Sequence, residues 1–225
     1  MQLGEDTITM SMTLNPVNEA AFQKAVQSLE TLNRAAVFHP TGTGKSCIAW
    51  KVVEAHPQTT FFWLVAGAQR LALRQAELTR YNGGTLPGNV RFCDCEKLAA
   101  ATPEQWVRLG EQKPGCIVLD CYHELSAVCW AQSVQKLLRM CPQAKVLGLG
   151  VPNGAPVCAA AQELFADCIV SHMTVAEAMA AGTMPVPSAY AALLWPQEEE
   201  LATLRARIKN LCMPKGDTSL RVQYE

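Results

Sequence analysis

An α/β fold, built on a mainly parallel sheet with helices on both faces, is predicted by three features of the sequence. Short apolar runs of strand length alternate with amphipathic segments of helix length as far as Gly150. Those runs are apolar at consecutive positions rather than at every second one, the pattern of strands covered on both sides. The first run also leads through a glycine-rich stretch straight into a helix-like segment, giving strand, loop and helix in series.

Taken in order, Ala21, Phe22, Ala25, Val26 and Leu29 recur at helical spacing between Asn18 and Asn33. They predict an amphipathic helix closing an N-terminal segment, residues 1–33. Arg34 to Phe38 reads as a strand, and Cys47 to Glu54 as the helix that follows the glycine-rich stretch. Further strands are expected at Thr60 to Val65, Cys116 to Leu119 and Lys145 to Leu149, with a weaker one at Val90 to Cys93. Helices at Gln69 to Arg80, Pro103 to Gly110 and Ala127 to Met140 separate them. Asn82 to Asn89 contains three glycines and a proline, a surface loop within the domain.

After Gly150 the pattern changes. Val157 to Phe165 and Thr174 to Ala181 read as helices, Pro185 and Pro187 break the chain, and Gln197 to Leu211 is a charged helix with Glu and Arg at helical offsets. The expected division is therefore an α/β domain over residues 34–172 and a C-terminal helical extension or linker over residues 173–225.

The chain has 225 residues, 49% of them hydrophobic and 17% charged, enough for one large domain with a real core. No apolar run approaches the ~20 residues that cross a bilayer. The N-terminus lacks a basic start followed by an apolar block, so a cytoplasmic location and no membrane partner are expected. Ten cysteines are spread through strand-like and helix-like segments, for example Cys116, Cys129 and Cys141, without paired metal-ligand spacing. Buried free thiols are expected rather than a disulfide scaffold. Cys93 and Cys95 form a CxC to which His123 or His172 could be added, but structural zinc normally uses two closely spaced ligand pairs. A net charge of −1 gives no broad basic footprint, so any nucleic-acid contact must be local.

The glycine-rich stretch carries the chemistry. His39 to Ser46 reads HPTGTGKS, which fits the phosphate-binding loop GxxxxGK[ST] from its second position onward. The candidate nucleotide-binding residues are Pro40, Thr41, Gly42, Thr43, Gly44, Lys45 and Ser46. Gly42 and Gly44 permit backbone angles that turn successive N–H groups into one concavity. Lys45 would bridge the β- and γ-phosphates, the Ser46 hydroxyl would ligand Mg²⁺, and the following helix adds the positive end of its dipole. A chance GKS turn is the plain alternative, and the position between a predicted strand and a predicted helix argues against it.

Such a loop needs an acidic residue at the end of another strand to hold Mg²⁺ through water. CIVLDCYHEL supplies Asp120 at the end of an apolar strand, the candidate metal contact alongside Ser46. A helix cap is the alternative use of an Asp placed there.

With HPTGTGKS and LDCYHEL in place, the chain resembles DEAD/DEAH-box superfamily 2 helicases, in particular a bacterial group with HPTGTGKS and a DE[FY]H box. FFWLVAGAQRLALRQ is similar to motif Ia of that family, VRFCDCEKLA to motif Ib and KVLGLG to the run into motif III. ELFADCIVSHMTVAEAMAAGTMPVP is similar to the segment leaving the first motor domain, so the likeness spans nearly the whole chain. It implies a RecA-like P-loop NTPase domain, the first of two, with ATP and Mg²⁺ as ligands. Nucleic acid, DNA before RNA, is implied as the polymer acted on. His39 becomes a match to the group, and Asn18 is implied to lie near the adenine.

The chain departs from that family at functional positions. The DExH glutamate that positions the hydrolytic water is Cys121, and Glu124, three residues on, is a poor substitute because its side chain would point elsewhere. Gly150, Val151 and Pro152 stand where motif III carries Ser-Ala-Thr. Asp94 stands near the motif Ib donor to the nucleic-acid backbone, where a carboxylate would repel phosphate. The family closes its site with arginines from a second RecA-like domain, for which 225 residues leave no room, and Arg205 and Arg207 read as a solvated helix face.

Two functions follow. One is an ATP-binding domain of a helicase-like protein, slow or defective in hydrolysis by itself. The other is a non-enzymatic nucleotide-binding module, interacting or regulatory, that pairs with a partner subunit supplying the second RecA-like domain. A small-molecule kinase is weaker, since no arginine-rich lid segment is present. Phe61, Phe62 and Trp63 could be base-stacking platforms, but three consecutive aromatics in a strand are expected in the core.

Overall fold

The computed structural model of the protein describes residues 12–120, 122, 128–152, 164–186 and 202–203. In chain order the elements are α1 (Pro16–Thr31), β1 (Arg34–Phe38), α2 (Lys45–Ala55), β2 (Phe61–Val65), α3 (Ala68–Tyr81) and β3 (Val90–Asp94). There follow α4 (Cys95–Ala99), α5 (Pro103–Glu111), β4 (Cys116–Asp120), α6 (Val128–Met140), β5 (Lys145–Gly150), β6 (Ile169–His172) and α7 (Val175–Ala180).

Local chemistry sets the helix starts. Asn15 caps α1, its side chain accepting from Asn18 N at 2.8 Å, with Pro16 in the first turn where a missing N–H costs nothing. Thr102 and Gln105 close a reciprocal capping box on α5. The strands are decided by burial instead, since every residue of β2 and β4 is buried.

The six strands form one sheet in the order β3-β2-β4-β5-β1-β6, and every pairing is parallel. All strand C-termini therefore lie along one edge. Alternate side chains point to opposite faces, and each face has its own core. On one side Ala35, Val37, Trp63, Val65, Val118 and Leu149 pack with Ala25 of α1, Ile48 of α2 and Leu78 of α3. On the other, Phe38, Phe62, Leu64, Ile117 and Leu119 pack with Leu98 of α4, Trp106 of α5 and Leu137 of α6. This is an α/β architecture with an all-parallel sheet, consistent with a RecA-like P-loop domain, and two apolar faces are why the strands read as unbroken apolar runs.

Two elements escaped the sequence pattern. The helix α4 is only five residues long. The strand β6 is a half-buried edge strand whose register against β1 shifts between Ala36 and Val37. Phe61, Phe62 and Trp63 are 1%, 0% and 0% exposed, so they are core residues and offer no stacking surface.

The chain divides into two compact units, residues 1–186 and residues 187–225. In the first, Thr174 caps α7 with a second reciprocal capping box to Glu177. In the second, residues 202 and 203 are helical; the rest of the helix expected over Gln197 to Leu211, with Arg205 and Arg207, lies outside the described residues, as does the expected helix at 157–163. Among the described residues no helix is long and apolar enough to cross a membrane.

Candidate nucleotide-binding site

The HPTGTGKS segment leaves β1 at the C-terminal edge of the sheet and turns into α2. Gly42 and Gly44 have φ of 87° and 91°, the left-handed region that glycine enters without strain. Gly44 is the N-cap of α2 and no side chain caps that helix, so the positive end of its dipole is left open to the loop. Thr41 and Gly42 are exposed at the tip, whereas Thr43 is buried and its hydroxyl donates to Pro40 O at 2.8 Å. Pro40 itself is buried, and Ser46 is half-buried in the first turn of α2.

Lys45 folds back over the loop, donating from Nζ to His39 O at 2.7 Å and Pro40 O at 2.8 Å. An ammonium held by neutral carbonyls is well placed to exchange them for phosphate oxygens, a stronger, charge-assisted pairing. Of the polar side-chain atoms buried without a partner among the described residues, both flank this loop: Asn18 Oδ1 and His39 Nδ1. Asn18, from α1, donates through Nδ2 to Thr43 O at 2.8 Å, so it sits beneath the loop.

His39 is fully buried at the start of the loop, with Nε2 2.7 Å from Ser171 Oγ on β6. Burial first, then the neighbouring charges of Lys45 and His172, push its pKa down to about 4, so the ring is neutral. Its backbone N–H donates to Gly150 O at 3.2 Å, which joins the loop to the end of β5.

Asp120 ends β4. It pairs in register with Leu149 of β5, which pairs with Val37 of β1. Two strand spacings of ~4.8 Å therefore set Asp120 about 10 Å from β1 along the same edge. It has the parity of Cys116 and Val118, whose side chains lie in the core shared with α2. That puts Asp120 on the face of the sheet that α2 covers. Asp120 is 2% exposed, however, and its Oδ2 accepts from Arg74 Nε of α3 at 2.7 Å and from Trp63 Nε1 at 3.1 Å. Arg74 also pairs with Glu77 through Nη1. Burial alone would lower the Arg74 pKa, but Asp120 and Glu77 outweigh it and raise it above its ordinary value.

The fit is therefore uneven. Loop, Lys45 and helix start suit the phosphates of a nucleoside triphosphate, and Ser46 and Asp120 supply oxygen donors of the kind Mg²⁺ takes, with Asp120 already engaged by a guanidinium.

Sequence reasoning missed Arg74 and Trp63. A signal for the second was available, since a Trp inside an apolar strand needs an acceptor for its indole N–H, and Asp120 is the carboxylate at the end of the neighbouring strand. Asp94, expected to oppose a nucleic-acid backbone, is buried and caps α4, its Oδ1 accepting from Glu96 N at 3.0 Å. Gly150, at the place of the missing Ser-Ala-Thr, lies against the ring of Phe38. Cys121, His123 and Glu124 lie outside the described residues. No group of three or more metal-ligating side chains occurs among the described residues, Cys93 and Cys95 included.

No protein-family model matches this chain. No curated protein matches it either. Among solved structures, domain III of the Thermotoga maritima replication initiation protein DnaA aligns with a TM-score of 0.44 and 11% identity, over 96% of this chain and 79% of that one. The ATP-dependent Type ISP restriction-modification enzyme LlaBIII, bound to DNA, aligns with a TM-score of 0.44 and 16% identity, over 64% of this chain and 13% of that one. At such identities these are likenesses of fold alone.

Proposed function

We propose that the protein is the ATP-binding domain of a DEAD/DEAH-type, helicase-like motor that acts on nucleic acid, DNA before RNA, and that hydrolyses ATP slowly or not at all by itself. The observation that carries this reading is the loop at the end of β1, where left-handed Gly42 and Gly44, an α2 start without a side-chain cap and Lys45 held by two loop carbonyls form an anion cradle. The strand order supports it, with Asp120 two strands away on the same edge and of the same parity as the core under α2.

In this reading Pro40 to Ser46 wrap the phosphates, Lys45 exchanges its carbonyl partners for the β- and γ-phosphates, and Ser46 and Asp120 hold Mg²⁺, Asp120 through water. The metal, when bound, neutralises phosphate charge. Slow hydrolysis rests on the sequence, because Cys121 follows Asp120 where the helicase pattern has glutamate. A thiol does not orient water as a carboxylate does, and loss of such a group lowers the rate roughly 10²- to 10⁴-fold.

The Arg74–Asp120 pair favours a second reading, a nucleotide-binding regulatory module completed by a partner's RecA-like domain, since it makes Asp120 part of a buried ion pair. The test is to measure ATP binding and turnover in parallel for wild type, Lys45→Ala and Cys121→Glu. Lys45→Ala is expected to abolish binding, and Cys121→Glu to leave affinity similar. Vigorous turnover by the wild type, stimulated by DNA or RNA, would sink the slow-hydrolysis part, and unchanged binding by Lys45→Ala would sink the nucleotide site.

A further inference from the structure

Arg74 occupies the one carboxylate that the proposed metal contact requires. Its Nε is 2.7 Å from Asp120 Oδ2, and Glu77, three residues along α3, holds another arm of the guanidinium. The Asp120 side chain is 3% exposed and that of Arg74 19%. The Asp120 end of the pair is no averaged surface contact, since the Trp63 indole holds the same carboxylate inside the protein, while Glu77, at 46% exposure, steadies Arg74 from the surface. Mg²⁺ surrenders its water reluctantly and demands near-ideal octahedral oxygen geometry. A guanidinium keeps its charge at every accessible pH and already touches the carboxylate. A divalent ion approaching Asp120 must therefore displace, or share its anion with, a cation that is better placed.

We propose, resting on the nucleotide-binding reading above, that Arg74 is a positioning residue that holds Asp120 in the place of a divalent cation. The protein then binds a nucleoside triphosphate with little dependence on Mg²⁺. Lys45 and the N–H groups of the loop meet the phosphate charge, and metal reaches Asp120 only when Arg74 gives way.

The experiment uses the full chain as wild type, Arg74→Gln and Arg74→Lys. The Kd for a fluorescent ATP analogue is measured in excess Mg²⁺ and in excess EDTA, and Mn²⁺ binding without nucleotide is followed by electron paramagnetic resonance. Chelation is expected to change the wild-type Kd by less than about threefold, and that of Arg74→Gln by roughly tenfold or more. Arg74→Lys, which keeps a cation at the carboxylate, is expected to resemble the wild type. Mn²⁺ should bind Arg74→Gln and not the wild type. A merely structural ion pair would alter stability and leave the Mg²⁺ ratio alone.

A wild type that loses affinity roughly tenfold in EDTA overturns the proposal, as does an Arg74→Gln protein with the wild-type ratio. If Arg74→Gln does not fold, the wild-type ratio and Arg74→Lys decide. If the wild type binds no nucleotide in either buffer, the nucleotide reading fails, and the Mn²⁺ titration still judges Arg74: equal Mn²⁺ binding by wild type and Arg74→Gln overturns its role.

Discussion

Asn18 donates from its side-chain amide to the Thr43 carbonyl at 2.8 Å, tying the first helix to the glycine-rich loop. The same nitrogen stands 2.7 Å from where a Cβ on Gly44 would lie, so a side chain there would displace the Asn18 amide as well as strain the left-handed backbone. Asn18 is 3% exposed, and water cannot replace the lost donor. Asn18→Asp would set a carboxylate against a carbonyl, so it is expected to cost about 2–3 kcal/mol, more than Asn18→Ala at about 1–2 kcal/mol. Urea unfolding midpoints give the ranking, and an Asp variant as stable as wild type would show that the amide does not brace the loop.

His39 gives a pH dependence with a definite sign. Its folded pKa, about 4, lies below the ordinary 6.5 because burial disfavours the charged ring, with Lys45 and His172 adding to the effect. Below the unfolded value the unfolded chain takes a proton that the folded chain refuses. Stability is therefore intact above about pH 6.5 and is lost as pH falls toward about 4, by at most about 3 kcal/mol. His39→Gln keeps a polar group near Ser171 but cannot titrate, and it is expected to flatten this part of the profile. Urea unfolding of both proteins from about pH 7 to about pH 4.5 checks it.

Much of this architecture was legible because its causes are local or nearly so. The strands β1, β2, β4 and β5 are buried on both faces, and that writes itself into consecutive apolar residues. The turn from β1 into α2 was legible because the glycines that take its left-handed angles, Gly42 and Gly44, stand within a few bonds of one another. The edge strand β6, half-buried and out of regular register with β1, leaves no such trace. Nor does the Arg74–Asp120 contact, which joins residues 46 apart in sequence and depends on a side chain of α3, a helix packed on β2 and β3, reaching across to the end of β4. Asp94 shows a different failure: its value as a cap was available from its place before Cys95 and Glu96, but the family pattern drew attention to phosphate instead.

Gly150 is expected to be intolerant of any side chain. A Cβ there would run into the Phe38 ring, and Phe38 is 1% exposed immediately before the loop. The neighbouring Gly148 faces Phe165 in the same way, its Cβ position 2.7 Å from two ring atoms. Small-to-large changes in a filled core cost about 1–3 kcal/mol. For Gly150→Ala we expect a loss in that range together with weaker nucleotide binding, because displacing Phe38 moves His39, whose N–H is bonded to Gly150 O. Gly148→Ala should lose comparable stability with a smaller effect on binding. Equal binding losses in the two variants would mean that Phe38 does not transmit the strain to the loop.

The thiols can be ranked by what burial does to them. It pushes Cys93 up to about 11 and Cys95 and Cys116 up to about 12, with Asp94 and Cys93 adding to the rise at Cys95 and Lys145 partly opposing it at Cys116. Near pH 8 a thiol with a pKa of 11 is ionised on the order of one part in a thousand, and the thiolate is the form that alkylates or binds metal. Brief native iodoacetamide treatment followed by peptide mapping should therefore leave Cys93, Cys95 and Cys116 unmodified, while all three label fully in urea. The same protonation makes the CxC a poor zinc site, so a chelator should not shift the unfolding midpoint. Early native labelling of Cys95, or a chelator-induced loss of stability, would show that these sulfurs are exposed or ligating rather than packed, Cys116 in the first core and Cys95, with half-buried Cys93 against it, in the second.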